Sequence, residues 1–336
     1  MSYLDDLLGE VRSQIEPNAT VLTEARSRLQ LVRDSASSFT GALRTYQSGS
    51  LAVHTMNEPV TDGDGGLVLN RNYYPDLGPE GKGKSPTEVV EELIDHLRPK
   101  IRAKYPNASM HTSKRGPKIH FGEPVDDTNP TVDLVVAMNR KEGSGLWIPN
   151  LDKGTWEPSD PEKHAEILNG DSKSFRSTRR KVIRLAKAWN KQFGQPGASS
   201  FEMSVWAYEF VEMGQGISKG LWTLFDQAAE RLENGGATKD PAGVSKNLKL
   251  LIDAATMSQR LRKAATHLER AIASDEDDEI QKEVSLVFTK YISAPQTSAL
   301  KASISLLSSK PTVKATALGV GVAASTGTAY RAYGGI

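Results

Sequence analysis

Three aspartates carry the chemistry that is most easily read from this sequence. Asp62 and Asp64 are two positions apart, so on an extended chain their carboxylates share one face. Asp133 lies in the apolar run 131–136, which is typical of a buried strand, and a carboxylate there needs a partner. Converging carboxylates repel one another unless cations lie between them, and Mg²⁺ prefers hard oxygen ligands. The three aspartates therefore predict a metal site for two-metal phosphoryl chemistry.

A Gly-Ser pair precedes these aspartates in the chain. Gly49 has no Cβ and tolerates a positive φ and a close approach to a ligand, while Ser50 offers a hydroxyl and an N–H to phosphate oxygens. Taken singly, Gly-Ser pairs and Asp-Gly-Asp-Gly segments are ordinary loops and turns. The order Gly-Ser, Asp-x-Asp, then Asp133 on a later strand is more specific. It predicts a nucleotidyltransferase site in which Asp62, Asp64 and Asp133 are both catalytic residues and metal ligands.

The same motifs resemble those of the bacterial cGAS/DncV-like nucleotidyltransferases, or CD-NTases. This family belongs to the polymerase-β-type superfamily, which also contains oligoadenylate synthetase. The resemblance can be followed over roughly residues 1–292. It implies a two-lobed, polymerase-β-like α+β fold, with a mixed-sheet catalytic lobe and its N-terminal bracing helix at 1–165 and a helical lobe at 166–294. Residues 295–336, rich in Ala, Ser, Thr and Gly, are expected to form a flexible tail.

Two further positions are assigned a role through this resemblance. Residues 183–189 are similar to the family's spine helix, which implies that Lys187 contacts the nucleotide triphosphate. A lysine is a suitable point charge for phosphate oxygens. Ser200 lies at a helix start, where the family binds the triphosphate through free N–H groups and the helix dipole. Without the resemblance, Ser200 is simply a good N-cap.

Other polar residues have less specific interpretations. In segment 153–164, which is similar to the family's connection from the sheet to the helical lobe, Asp160 and His164 are interpreted as a helix cap and a first-turn hydrogen bond. His54 is interpreted as a surface or packing residue rather than a catalytic base. The basic cluster 114–118 is interpreted as a solvated turn, with contact to nucleotide phosphates or to an acceptor as the alternative.

The resemblance implies an enzyme that uses NTPs and two Mg²⁺ ions, or Mn²⁺, to make a cyclic di- or oligonucleotide second messenger in CBASS-type antiphage signalling. The alternative is an enzyme that adds a single nucleotide to an RNA or protein acceptor, because the same three carboxylates serve both reactions. A non-catalytic binder with a decayed site is disfavoured, since all three acids are present. The expected partners are the NTP substrates and an operon-encoded regulatory or conjugating protein at the C-terminus, where Gly334-Gly335 precede Ile336.

The composition of the chain excludes several kinds of functional site and of partner. The chain has 336 residues, no cysteine and a net charge of +1, so disulfides, Cys-type zinc sites and thiol nucleophiles are excluded. With so little net charge, no general attraction to nucleic acid or to an anionic membrane is expected, and no obligatory nucleic-acid partner is inferred. The first residues are not expected to form a signal peptide, and the uncharged run 315–329 is expected to be too short and polar to span a membrane. A cytoplasmic protein is expected.

Periodicity predicts the elements that must position these residues. Helices are predicted over residues 4–15, from Thr20 towards Phe39 and Leu43, from a capped start at Ser85, over 174–193 and over 244–273. Short strands are predicted at 67–69, 119–121 and 131–136. The acidic run 274–279 is predicted to be a solvated turn.

Overall fold

Within residues 2–296, the part of the chain that the computed structural model describes, seven strands form one mixed sheet. Their order is β1-β2-β5-β4-β3, with β6 paired to β5 and β7 paired to β6. The strands are β1 (Ala42–Ser48), β2 (Asp62–Leu69), β3 (Ser109–Ser113), β4 (Gly116–His120), β5 (Thr131–Asn139), β6 (Leu146–Asn150) and β7 (Thr155–Ser159). Only β2 and β5 pair in parallel within this described region. The predicted tail beyond Gln296, with Gly334-Gly335, lies outside the described residues.

The faces of the sheet are set by the alternation of its central strands. Leu67 and Leu69 of β2 belong to the core under helices α2 (Ala19–Ser37) and α4 (Pro86–Arg102). Val68, between them, belongs to a smaller cluster with Tyr46 on the other face. This alternation is the period of two that a strand imposes on its side chains. It also fixes which face of β2 carries Asp62 and Asp64.

The second half of the chain is helical, and its helices enclose a separate hydrophobic core that also includes apolar residues of the first helix. The remaining helices are α1 (Tyr3–Gln14), α3 (Gly49–Ala52), α5 (Pro161–Asn169), α6 (Lys173–Lys191), α7 (Ser200–Phe210), α8 (Ile217–Glu233), α9 (Ala254–Ala273) and α10 (Asp277–Val287). Two cores, one under a mixed sheet and one among helices, confirm the predicted α+β class with two lobes. The lobe borders at residues 165 and 294 stay a prediction. None of the helices described is long and apolar enough to cross a membrane.

Several local predictions are confirmed. Helix α4 begins with the predicted capping box, in which Ser85 Oγ accepts from the Glu88 N–H and the Glu88 carboxylate accepts from the Ser85 N–H. Helix α6 covers nearly all of the predicted helix 174–193. Asp160 caps α5, since its carboxylate accepts from the Lys163 N–H at 2.9 Å.

Two predicted helix bounds and one predicted turn differ from the structure. Helix α2 ends at Ser37, and Leu43 lies in β1, because the chain turns at Gly41 with a φ of +74°. The stretch 244–273 becomes helical only at Ala254, where the Asp253 carboxylate accepts from the Thr256 N–H and caps the first turn. The acidic run 274–279 is not wholly a turn. Its last three acids form the first turn of α10, where the helix dipole favours negative charge.

Candidate active site

A single row of residues crosses four strands of the sheet. Asp64 of β2 is the register partner of Ser48 on β1 and of Asp133 on β5. Asp133 is in turn the partner of Lys118 on β4. Residues in register on neighbouring strands project from the same face. The row therefore brings together two segments that are far apart in the sequence, and it places Lys118 beside the acids.

The three predicted carboxylates converge. One oxygen from each of Asp62, Asp64 and Asp133 can be chosen so that all three atoms lie within 4.8 Å of one another. Burial, and then the negative charges of Asp62 and Asp133, raise the pKa of Asp64 to about 6. The donors are all carboxylate oxygens, which suit a hard divalent cation such as Mg²⁺ or Mn²⁺. The arrangement fits a cation that relieves this repulsion.

Gly49 is the residue that lets this cluster form. Its φ is +64°, in the left-handed region, and a Cβ added to it would collide with the carboxylate of Asp64. Ser48, the residue before it, is the partner of Asp64 in the β1–β2 ladder. The group that approaches Gly49 closely is therefore the carboxylate of Asp64, even with no ligand bound.

Replacing Gly49 with alanine should destabilise the protein by more than the roughly 1–2 kcal/mol that a left-handed φ alone costs a residue with a Cβ. Gly154→Ala is a matched control, because Gly154 has a φ of +60° and no atom within 4 Å of its added Cβ. Thermal or denaturant unfolding of both variants measures the difference. Equal losses of stability would show that the Asp64 carboxylate moves away from the Cβ without cost.

Lys187 faces the acids from the helical lobe and is buried, with only 5 % of its surface exposed. Its Nζ donates to Ser50 Oγ at 3.0 Å, to Thr55 Oγ1 at 2.9 Å and to the Thr55 carbonyl at 3.3 Å. Burial, and then the charge of Lys191, lower the pKa of Lys187 to about 7, although Asp64 and Asp62 act in the opposite direction. The structure thus joins two of the predicted phosphate-binding residues, Ser50 and Lys187, in one hydrogen-bond network.

Ser200 is the first residue of α7, and the capping role that it was assigned belongs to Ser199. The Ser199 hydroxyl accepts from the Glu202 N–H at 3.0 Å. The Ser200 hydroxyl is therefore not needed as a cap. Ser200 lines the same cavity as Lys187.

A cavity of about 450 Å³ lies between the two lobes. Its polar lining includes Ser50, Asp62, Asp64 and Lys187, and its apolar lining includes Leu168 of α5 and Phe201 of α7. Pockets of this size commonly hold small ligands, with a few polar groups fixing the orientation. Such a lining can receive a ligand that has a charged part and a flat apolar part.

The His164 N–H makes the predicted first-turn hydrogen bond, to the Asp160 carbonyl at 2.9 Å, and the His164 side chain makes further contacts. Its side chain lines the cavity, its ring centroid lies 4.7 Å from that of Phe201, and its Nε2 is 2.5 Å from Asp240 Oδ1. Burial would raise the pKa of Asp240, but hydrogen bonds from the Ser245 N–H and from His164 hold it at about 2. Asp240 lies 76 positions along the chain, so no local pattern could reveal this pair.

The remaining polar predictions have mixed outcomes. The cluster 114–118 is not simply a solvated turn, because Lys118 forms an ion pair with Asp133 at 2.9 Å and Arg115 donates to Glu157 at 2.6 Å. His54 lies outside the residues that line the cavity and is exposed. Thr55, which holds Lys187, was missed, and its only sequence signal was its position shortly after Gly49-Ser50.

No family model and no curated protein matches the sequence, but solved structures match the fold. CdnC of Escherichia coli MS115-1, solved with ATP, is 13% identical, with 85% of this chain and 98% of that chain covered and a TM-score of 0.63. The CD-NTase CdnG of Bradyrhizobium diazoefficiens, solved with GTP, is 15% identical, with 85% and 95% covered and a TM-score of 0.62.

A third similar structure is the cyclic AMP-GMP synthase DncV of Vibrio cholerae with the linear intermediate 5′ pppA(3′,5′)pG. It is 13% identical, with 87% of each chain covered and a TM-score of 0.55. CdnC has also been solved in a complex with HORMA-deltaN. Matches that cover most of both chains at such low identity show a shared fold. This chain therefore has the two-lobed nucleotidyltransferase fold of the CD-NTases, as its motifs predicted.

Proposed function

We propose that this protein is a nucleotidyltransferase that makes a cyclic di- or oligonucleotide from NTPs with two Mg²⁺ ions, for which Mn²⁺ can substitute. One observation carries the proposal: three carboxylates from two strands converge on one face of the sheet, and two of them, Asp62 and Asp64, line a cavity together with Lys187 of the other lobe. Carboxylates suit the divalent ions, and the lysine suits the triphosphate that the ions only partly neutralise. In the fold neighbours, ATP, GTP and a linear dinucleotide are the bound molecules.

We assign the roles as follows. Asp62, Asp64 and Asp133 hold the metal ions. Two divalent cations bound there would neutralise charge on the transferred phosphate and lower the pKa of an acceptor hydroxyl. Gly49 and Ser50 cradle phosphate oxygens, and catalysis consists mainly of positioning and charge neutralisation.

The second half of the phosphate site comes from the helical lobe. Lys187 is already held beside Ser50, with its Nζ 3.0 Å from the Ser50 hydroxyl, so a triphosphate that reaches one of them reaches both. Ser200 adds a hydroxyl and the N-terminus of α7, where an anion is favoured. Each lobe supplies part of the site, so the site is complete only where the two lobes meet.

The proposed biological setting is CBASS-type antiphage signalling in the cytoplasm, where NTPs are available. CdnC, which shares the fold, is known in a complex with HORMA-deltaN. We propose that a regulatory protein likewise binds this chain. A conjugating partner at the C-terminus stays a prediction, because it concerns residues outside the described part of the chain.

Incubation of the purified full chain with each NTP singly and with all four together, plus Mg²⁺ or Mn²⁺, tests the function. We expect mass spectrometry to detect small-molecule products whose masses equal cyclic oligomers of nucleoside monophosphates, together with released pyrophosphate. Added RNA or protein that gains one nucleotide, with no cyclic product, would instead favour the single-addition alternative. No product under any of these conditions would contradict both activities for the isolated chain.

A further inference from the structure

We propose that Lys118 competes with a metal ion for Asp133. In the metal-free chain its ammonium group occupies the Asp133 carboxylate, and it must leave before a divalent cation can be held there. This inference rests on the proposed function, because it concerns the loading of the same metal site. It assigns to Lys118 a positioning role, exerted through Asp133.

The geometry of the sheet puts this lysine where it can compete. Lys118 and Asp133 are register partners in the β4–β5 ladder, and Lys118 Nζ lies 2.9 Å from Asp133 Oδ2. On its other side, Asp133 is the register partner of Asp64. Asp133 therefore stands between a built-in cation and the rest of the acidic cluster. The Asp133 Oδ2 atom already accepts from the ammonium group, so a metal ion that uses this oxygen must compete with Lys118.

The charges around the cluster explain why a built-in cation is useful. Three carboxylates that converge without a metal ion repel one another. Lys118 and Lys187 flank them from opposite lobes, and both favour the ionised form of Asp64. The two lysines thus offset part of the negative charge of the empty site, which helps the acids to stay in place before a metal ion arrives.

Lys118, and not Lys187, is the lysine that can be released. Lys187 is buried and held by the hydroxyls of Ser50 and Thr55. The Lys118 side chain is 36% exposed, and its only hydrogen bond among the described residues is the one to Asp133. A partly exposed ion pair of this kind is weak, so a divalent cation attracted by three acids can displace it. The lysine head then moves into solvent.

This competition orders the loading of the site. Asp62 and Asp64 have no ion pair among residues 2–296, so a first cation can bind to them directly. The cation that needs Asp133 must displace Lys118 and therefore binds more weakly. The complete centre then forms only when a second source of affinity, such as a bound triphosphate, contributes to holding that cation.

Titration of Mn²⁺ into the full chain without nucleotide tests the idea, with free Mn²⁺ measured by electron paramagnetic resonance. Lys118→Met removes the charge and keeps the length of the side chain, and we expect it to tighten the weaker Mn²⁺ site about two- to fivefold. Lys118→Gln gives the same test with a polar side chain. Lys118→Arg keeps a cation and should not tighten binding.

Lys114→Met is the matched control, because Lys114 lies in the turn just before β4 and is exposed. Its Nζ pairs with Asp152 Oδ2 at 3.9 Å and not with the acidic cluster. It should leave Mn²⁺ binding unchanged. In an Asp133→Asn background the effect of Lys118→Met should vanish, since a double-mutant cycle isolates the pair.

The outcomes are distinguishable. If Lys118 only holds Asp133 in position, then Lys118→Met and Lys118→Gln weaken Mn²⁺ binding, and that result overturns the proposal. Unchanged binding in both variants also overturns it while leaving the proposed function intact. A wild-type chain that binds no Mn²⁺ overturns the metal site, and with it both the proposed function and this inference.

Discussion

The double variant Asp62→Asn, Asp64→Asn is expected to lose product formation by at least about a thousandfold. Amide oxygens are neutral and far weaker ligands for Mg²⁺ than carboxylates. Metal ions contribute several kcal/mol to such reactions, and each 1.4 kcal/mol or so corresponds to about tenfold in rate. The measurement is the rate of cyclic product or pyrophosphate release with the NTPs that the wild-type chain uses.

The same variant should fold at least as well as the parent without metal. The pKa of Asp64 is raised to about 6 from an ordinary value of 3.8, so the folded state binds the proton more tightly than the unfolded state. Stability contributed by the protonated carboxyl is present below about pH 4 and is lost as the pH rises towards 6. Asparagine has no carboxyl group to titrate. The free energy of unfolding should therefore vary less with pH in that interval in Asp64→Asn than in the parent.

Asp127→Asn is the control for both measurements. Asp127 is exposed and has a φ of +60°, which asparagine tolerates well. This variant should keep normal product formation and a normal melting temperature. A double variant at Asp62 and Asp64 that melts like the parent and still makes full product would show that the metal site is misplaced.

Lys187→Ala has the second largest expected effect: a loss of nucleotide affinity of about ten- to a hundredfold. A charge-assisted hydrogen bond contributes roughly 1.5–3 kcal/mol, and every 1.4 kcal/mol or so is about tenfold in affinity. The assay is equilibrium binding of a non-hydrolysable NTP analogue with Mg²⁺. Lys191→Ala is a matched comparison, because Lys191 lines the same cavity but is exposed. This variant should reduce nucleotide affinity less than Lys187→Ala does.

The pH dependence of binding provides a separate test of Lys187. Its pKa of about 7 in the empty protein means that the amine loses its proton above that pH, while a bound triphosphate favours the charged form. Nucleotide affinity should therefore fall as the pH rises above 7, by at most about tenfold per pH unit. Lys187→Ala should flatten this slope. An equal slope in the variant, with unchanged affinity, would leave Lys187 without a role in binding phosphate.

The local sequence predicted several parts of the candidate site. A period of two puts Asp62 and Asp64 on one face of any strand that contains them, and an apolar run around Asp133 predicts a strand with one acid in it. Gly49 was predicted to matter because it lacks a Cβ. In the structure, a Cβ at this position would collide with the Asp64 carboxylate. The helix that carries Lys187 follows from its amphipathic spacing. Each of these inferences uses only near neighbours in the chain.

The tertiary structure decided how the parts meet. The register that aligns Asp64, Asp133 and Lys118 depends on the packing of whole strands, because a slip of one residue would reverse every face. The local sequence could not show this register, and it therefore placed Lys118 in a solvated basic turn and not beside the acids. The lowered pKa of Lys187 requires burial against Thr55, 132 positions away, and His164 meets Asp240 only when α5 packs beside the loop after α8. Such contacts are set by the total packing of the chain, which no short segment encodes.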